Sequence, residues 1–426
     1  MRILVIGAAV SGRAAAALAQ RQGDDVVVYD RSVEATAGLD DVFSVTAGEW
    51  DRKLLHDVEL VVTSPGVPEH AAPLVDAATA QVPVWSELEY GASHLKTPYL
   101  AVTGTNGKTT VTGTTAAMLT ESGVRATAAG NIGTPVSSVV GLDLDVVVLE
   151  ASSFQLRFID RLHPGAAAIL NVAADHLDWH RDHASYAAAK ARIFENMTGN
   201  DPLAYDLDDQ GAAALAATAR ARLVPVSASQ VPNGGAGIAG DRLVYGDQTF
   251  PLPTSDPSYA VDLAFAAVLA GAGGATPSGI EHALATFAPG PHRRQVVGSW
   301  GGITWVNDSK ATNPHAAQAA AAAYPSVILI AGGRNKGLDL SGMVPPTVKY
   351  VVGYGEAGPE IAAAAPVPSI VVASFDEAVA EAAGVATAGD VILLAPGAAS
   401  FDQFSSYEAR GDRFVALVRG QATVRK

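Results

Sequence analysis

The chain has 426 residues, 49% of them hydrophobic and 17% charged, with a net charge of -15 and no cysteine. That length calls for two or three cores rather than one, and the composition excludes a disordered or fibrous chain. The missing cysteines exclude disulfides, thiolate metal sites and a thiol nucleophile. The acidic balance without a basic patch argues against nucleic acid, and no apolar run reaches membrane-span length.

In chain order, "RILVIG" reads as a strand that starts at once, with no signal-peptide pattern. "SGRAAAALAQRQG" reads as a helix ending at Gly23, followed by the strands "DVVVYD", "ELVVTSPG" and, after a helix, "VPVWSE". Apolar strands alternating with helices predict a parallel sheet covered on both faces. A second unit opens at "HLKTPYLAVTGTNGKTT", with strands "LAVTG", "DVVVLEAS" and "AAAILNV" and helices over 109–122 and about 184–197. "RLVPVSA", "DRLVYGD" and "TFPLP" read as short antiparallel strands, and helices over 258–272 and in "SGIEHALATF" close the unit. The linker "APGPHRRQ" places a boundary near 290, after which strand–helix alternation resumes through "ITWVNDS", "SVILIAGG", "YVVGYG", "SIVVAS" and "DVILLAPGAAS". The expected fold is α/β in three domains: 1–92 Rossmann-like, 93–289 built around a mostly parallel sheet with a phosphate loop, and 290–426 Rossmann-like.

"GTNGKTT" (104–110) carries the sharpest chemical signal. Successive amides in a tight Gly turn make an anion nest, and a following helix adds its dipole. Gly104, Thr105, Asn106, Gly107, Thr109 and Thr110 surround Lys108, which can reach outer phosphates, while the Thr109 hydroxyl can sit on Mg²⁺. Val102 stands where the common phosphate loop has its first glycine. Glu150 ends an apolar strand on the sheet edge where ligands bind in open α/β folds, and is a candidate metal ligand. Asp175 and His176 end the next strand with a carboxylate and an imidazole, a pair that suits a divalent cation. His180 and His183 extend this cluster toward a zinc reading, but no His-Glu-x-x-His pattern supports it.

Arginine outnumbers lysine 20 to 8, so a lysine among small polar residues points to a need for a compact charge or an amine. Lys108, Lys310 and Lys336 occupy such places, and Lys190 follows the Asp-His cluster. Lys310, Lys336 and Ser400 lie in the edge loops "WVNDSKATNP", "LIAGGRNKG" and "LLAPGAASFDQF", suited to carboxylate or phosphate. "VIGAAVSG" with Asp30 invites a dinucleotide reading, weakened by Ala9 in place of the second glycine.

These stretches, with "GNIGTP", "LEASSFQL", "NVAADHLDWH", "YAAAKARIF" and "PHR", together resemble the Mur ligase family over essentially the whole chain, and its D-glutamate-adding branch most. The resemblance implies a cytoplasmic, monomeric ligase of peptidoglycan precursor synthesis acting on small molecules, with no nucleic acid and no membrane. It joins D-glutamate to UDP-N-acetylmuramoyl-L-alanine through an acyl phosphate, using ATP and two Mg²⁺ sites. It implies that Lys108 stabilises phosphates, that Thr109 and Glu150 hold one Mg²⁺, and that His176 with a carbamylated Lys190 serves the second. Asn131 and Ser152 would touch substrate or phosphate, and Asp175 ATP or metal. Asp308 and Arg293 would face the nucleotide, and Asp262 stands where the family usually has Asn near adenine. Lys310, Thr312, Lys336 and Ser400 would form the D-glutamate site, with Tyr407 in place of the usual Phe. Val10, Ser11, Asp30, Arg31 and Ser64 would hold UDP, Arg31 replacing a smaller residue near uracil. The rival readings are a sister Mur ligase or folylpolyglutamate-type ligase adding another amino acid, an NAD(P) dehydrogenase, and a non-catalytic nucleotide-binding module.

Overall fold

Three sheets organise the protein in a computed structural model that describes residues 1–424. The first contains β1 (Arg2–Ile6), β2 (Asp25–Asp30), β3 (Ser44–Ala47), β4 (Leu60–Thr63) and β5 (Val84–Ser86) in the order β3-β2-β1-β4-β5. All its pairings are parallel. The order reverses between β1 and β4, which opens a crevice beyond their carboxyl ends.

The second sheet comprises β6 (Tyr99–Thr103), β7 (Ala126–Gly130), β8 (Val146–Glu150), β9 (Ala166–Ile169), β10 (Pro202–Asp206), β11 (Arg222–Ser227), β12 (Ala236–Ala239), β13 (Arg242–Tyr245) and β14 (Gln248–Pro251). Its order is β14-β13-β12-β11-β10-β9-β6-β8-β7. The helix Pro257–Ala272 buries Leu263, Phe265 and Val268 in the core that also takes Val111, Met118 and Leu119 of the helix Lys108–Glu121. The third sheet runs β15-β16-β20-β17-β18-β19, from β15 (Gln295–Trp300), β16 (Ile303–Asn307), β17 (Val327–Gly332), β18 (Val348–Tyr354), β19 (Ser369–Val371) and β20 (Val391–Gly397). Only β15 is antiparallel in it.

Two details correct the sequence reading. "RLVPVSA" was expected to be antiparallel, yet β11 pairs parallel with both β10 and β12. The strand "PLAYD" and the helix Gln210–Ala216 before it complete a crossover unit, and a parallel pair needs such a connection; antiparallel pairing begins only at β12–β13. The helix expected over 184–197 ends at Ala191 and tightens into a 3₁₀ turn over Arg192–Phe194.

By internal contacts the chain forms two bodies: 1–172 with 184–287, and 173–183 with the chain from 288 onward. Within the first body, the helix Glu87–His94 ties the first sheet to the second through two buried carboxylates. Glu87 Oε1 accepts the Ser137 N–H at 2.7 Å, and Glu89 accepts the N–H groups of Arg161 and Leu162 at 2.9 and 3.1 Å. Burial pushes the Glu87 carboxyl above its ordinary value of 4.5, against the pull of the Ser137 bond. Its stabilising contribution is therefore full below the unfolded value and is lost as pH rises toward the raised folded value. Glu87→Gln is expected to flatten the decline in stability as pH rises above the ordinary carboxylate value; parallel declines in urea denaturation of both proteins would clear Glu87 of this role.

Candidate active site

The phosphate loop leaves β6 at Thr103 and enters its helix at Lys108. Gly107 caps that helix at φ +85°, and no side chain caps it. Asn171, which the sequence reading did not single out, holds the loop from the end of β9. Its backbone oxygen accepts the Thr105 N–H at 3.0 Å, its Oδ1 accepts the Asn106 N–H at 2.8 Å, and its Nδ2 donates to the Asn106 carbonyl at 3.2 Å. Its signal in the sequence was the polar residue closing "AAAILNV". Lys108 folds over its own loop, Nζ donating to the carbonyls of Gly104 at 2.8 Å and Thr105 at 3.0 Å.

Asp262 backs this loop from the helix Pro257–Ala272, and a Cβ built on Gly107 would stand 2.4 Å from its Oδ1. Gly107→Ala combines a left-handed backbone with that collision. It is expected to cost ~1–2 kcal/mol of stability and to weaken binding of a nucleoside triphosphate, as denaturation and nucleotide titration would show.

Glu150 ends β8 directly beside Val102 of β6, so strand register alone sets its carboxylate next to the loop. Asn131, one residue past β7, donates from Nδ2 to Glu150 Oε1 at 2.8 Å. Glu150 Oε2 is buried and has no hydrogen-bond partner among the described residues. A buried carboxylate oxygen without a donor is costly unless a cation takes it, so the site suits a hard divalent ion. Ser152 is committed to a capping box with Gln155.

Lys190 is 1% exposed and donates to the Gly104 carbonyl at 2.7 Å. Its ammonium lies 4.5 Å from the ring centre of Tyr186, whose hydroxyl donates to Thr105 Oγ1 at 3.1 Å. Lys108, Glu150 and Lys190 thus belong to the first body, whereas Asp175 and His176 lie in the segment that belongs to the second. His176 has φ +54°, and its N–H donates to Asp175 Oδ1 at 2.8 Å.

At the switch point of the first sheet is a cavity of about 1100 Å³, lined by Gly7, Val10, Ser11, Asp30, Arg31 and Ser64 among others. Asp30 accepts the N–H groups of Ala8 at 2.7 Å and Ser32 at 2.8 Å, which fixes its carboxylate at the rim. Gly12 is required by packing, since a Cβ there would meet the Gly7 carbonyl at 1.7 Å. The Gly-to-Ala exchange at Ala9 meets no such barrier, being at the helix N-cap in extended conformation.

In the second body, Asp308, Lys310 and Thr312 follow β16, Lys336 follows β17 and Ser400 follows β20. These three strands are adjacent, which collects their loops on one edge. Lys310 Nζ lies 3.9 Å from the ring centre of Tyr407. Asp308 accepts the backbone N–H of Arg294 at 3.3 Å and faces its Nε at 3.8 Å; neighbouring Arg293 is half-buried. The sequence reading missed Arg410, which is fully buried beneath these loops. Its guanidinium donates to Ser309 Oγ and O at 2.9 Å each, to the Ala398 carbonyl at 3.2 Å and to the Tyr354 hydroxyl at 3.4 Å. Its signal was an arginine in line with the apolar positions Phe414 and Val418 of the last helix.

Known proteins agree with this arrangement of sheets and loops. The chain matches the Mur ligase MurD-like N-terminal domain over residues 1–86, the Mur ligase middle domain over 102–248, and the Mur ligase glutamate ligase domain over 292–398. It is 42% identical to a UDP-N-acetylmuramoylalanine--D-glutamate ligase of Frankia casuarinae, across 98% of this chain and 94% of that one. A ligase of the same name from Mycobacterium avium is 38% identical, covering 98% and 96%. In fold it is similar to the UDP-N-acetylmuramate-alanine ligase MurC of Thermotoga maritima, with a TM-score of 0.59, 19% identity and coverage of 99% and 100%. It is similar as well to a Yersinia pestis folylpolyglutamate synthase/dihydrofolate synthase complexed with AMPPNP and Mn ion, with a TM-score of 0.58, 20% identity and coverage of 77% and 90%. Family models along the chain and relatives at this identity and coverage carry the same conclusion: the chain belongs to the Mur ligase family.

Proposed function

We propose that this protein is the ATP-dependent ligase that joins D-glutamate to UDP-N-acetylmuramoyl-L-alanine in peptidoglycan precursor synthesis. The relatives' shared name supports the substrate pair. The observation that carries the chemistry is the buried, unpartnered Glu150 Oε2 beside a phosphate loop on which Lys108 is already folded. A transferring phosphoryl group needs charge stabilisation and positioning more than covalent help.

A carboxylate oxygen of the UDP substrate attacks the γ-phosphorus of ATP, and ADP leaves. The amine of D-glutamate then attacks the acyl carbon, loses a proton, and expels phosphate as the amide forms. Lys108 and the amides of residues 104–110 hold the phosphates. Thr109 and Glu150 would hold one Mg²⁺ and His176 with Lys190 as a carbamate the second, and the ions, when bound, would supply charge neutralisation for the phosphates. Asn131 positions Glu150, and Ser152 lies at the same sheet edge. Asp308, Arg293 and Asp262 serve the nucleotide. The cavity of the first sheet receives UDP through Val10, Ser11, Asp30, Arg31 and Ser64, and Lys310, Thr312, Lys336, Ser400 and Tyr407 receive D-glutamate. We assign these roles to domains bounded at 92 and 289 in a cytoplasmic monomer. Among the described residues, no helix is long and apolar enough to cross a membrane.

The deciding experiment measures phosphate release from ATP with UDP-N-acetylmuramoyl-L-alanine, offering D-glutamate, L-glutamate, L-lysine and meso-diaminopimelate separately. Release with D-glutamate alone, and a product heavier by one glutamyl residue, is the expected result. Release with a different amino acid would reassign the last domain, and no release with any would leave a nucleotide-binding module.

A further inference from the structure

The segment 173–183 lies between two stretches of the first body yet belongs to the second. Two of the contacts it makes there come from one carboxylate. Asp175 Oδ1 receives the Lys336 ammonium at 2.5 Å, and Asp175 Oδ2 receives the Asn313 amide at 3.0 Å. The pair is largely shielded from solvent: the Asp175 and Lys336 side chains are 6% and 14% exposed. Lys336 follows β17 and Asn313 follows β16, on the edge that collects Lys310 and Ser400. Asp175 therefore presents to that edge the same group that a dicarboxylic amino acid would bring.

We infer that Asp175 is a placeholder carboxylate: it occupies Lys336 until a carboxylate of the incoming amino acid takes its place by exchange. The inference rests on the proposed role of Lys336 in the amino-acid site. Electrostatics favours exchange over simple addition. A largely shielded lysine left without a partner is destabilising, so an amino-acid site gains from a resident anion while it waits. Swapping one carboxylate for another keeps the pair neutral at every stage. It also lowers the apparent affinity for the amino acid, because only the fraction of molecules with Lys336 released can bind.

The exchange has a mechanical consequence. Asp175 Oδ1 also accepts the His176 N–H, and His176 holds a left-handed backbone at the start of the turn Leu177–His180. Displacing Asp175 removes the contacts to Lys336 and Asn313 together and loosens the segment that carries His176. Amino-acid binding is thereby coupled to the placement of a residue assigned to the phosphoryl-transfer chemistry, and Asp175 is a positioning residue for both.

The test follows backbone amide exchange in residues 173–183 as D-glutamate is added to the full chain with a non-hydrolysable ATP analogue and the UDP substrate. Exchange is expected to rise saturably with D-glutamate and to stay unchanged with L-lysine. Asp175→Asn keeps the size of the side chain but leaves Lys336 seeking an anion. It is expected to bind D-glutamate about threefold or more tighter by calorimetry under the same conditions, whatever its turnover. A purely structural role for Asp175 would weaken that binding instead, and either this result or unchanged amide exchange would overturn the placeholder. Lys336→Ala separates the two levels. Unaltered D-glutamate binding in that variant would remove Lys336 from the amino-acid site and the inference with it; weakened binding there, with no gain in Asp175→Asn, would remove the placeholder alone.

Discussion

Lys190→Ala is expected to fold normally and to lose turnover by at least about 10²-fold. Lys190 is among the largest fully buried side chains, and its amine reaches the Gly104 carbonyl inside the phosphate loop. A buried ammonium is normally kept for its charge, and then arginine, the dominant cation of this chain, would serve as well. We propose instead that the amine becomes a carbamate, which would turn a cation into an oxygen ligand beside the candidate metal site. The alanine variant loses both forms, and a short carboxylic acid or bicarbonate can enter the space the side chain leaves. Partial recovery of turnover with acetate or bicarbonate, but not with chloride at equal ionic strength, is the expected signature. Full activity in the unsupplemented variant would exclude the carbamate. An unfolded variant would be recognised by its circular dichroism, and Lys190→Gln, which keeps most of the volume, would then carry the test.

The second large effect is expected at Lys108. Lys108→Ala should reduce kcat by about 10³-fold or more, with a smaller change in the KM for the UDP substrate. The ammonium bonds the carbonyls of Gly104 and Thr105, so it is held over the loop in advance of the nucleotide. Preorganised charge aimed at developing phosphoryl charge acts mainly in the transition state, which places the loss in kcat. Lys108→Arg should recover little, because a planar guanidinium cannot donate to both carbonyls from the same position in so tight a turn. Equal losses in kcat and in substrate affinity would show that Lys108 merely shapes the loop. A stability measurement on Lys108→Ala checks this independently, since breaking two loop bonds at a half-buried site should change the denaturation midpoint only modestly.

Much of the candidate site was legible in the sequence because ligands in open α/β folds gather at carboxyl strand ends, and strand ends are readable. Glu150, Lys310, Lys336 and Ser400 each follow an apolar run; Glu150 ends its strand and the others lie in the loops just beyond theirs. The residues that escaped notice are those whose role depends on a partner far along the chain. Asn171 matters because it meets Thr105 and Asn106, 65 residues away for the latter. Arg410 matters because three separate loops or strand ends converge on one guanidinium. Short edge strands escaped for a different reason: "ATAAG" and "SVTA" have weak intrinsic preference and become strands only because β8 and β2 offer unpaired edges.

What the sequence determined by itself was the succession of buried strands and covering helices, and the phosphate loop between them, since period and turn chemistry act over a few residues. The kinds of residue at each strand end, and the family that they resemble, were readable for the same reason. Tertiary structure decided what depends on long-range pairing. It made β11 parallel by supplying β10 beside it, and it left one oxygen of Glu150 without a donor among the described residues. It also assigned the segment around Asp175 to the body that follows residue 288, where Asp175 forms an ion pair spanning 161 residues. Local pattern carries no information about such a contact, because its energy arises only when two distant charges are buried together.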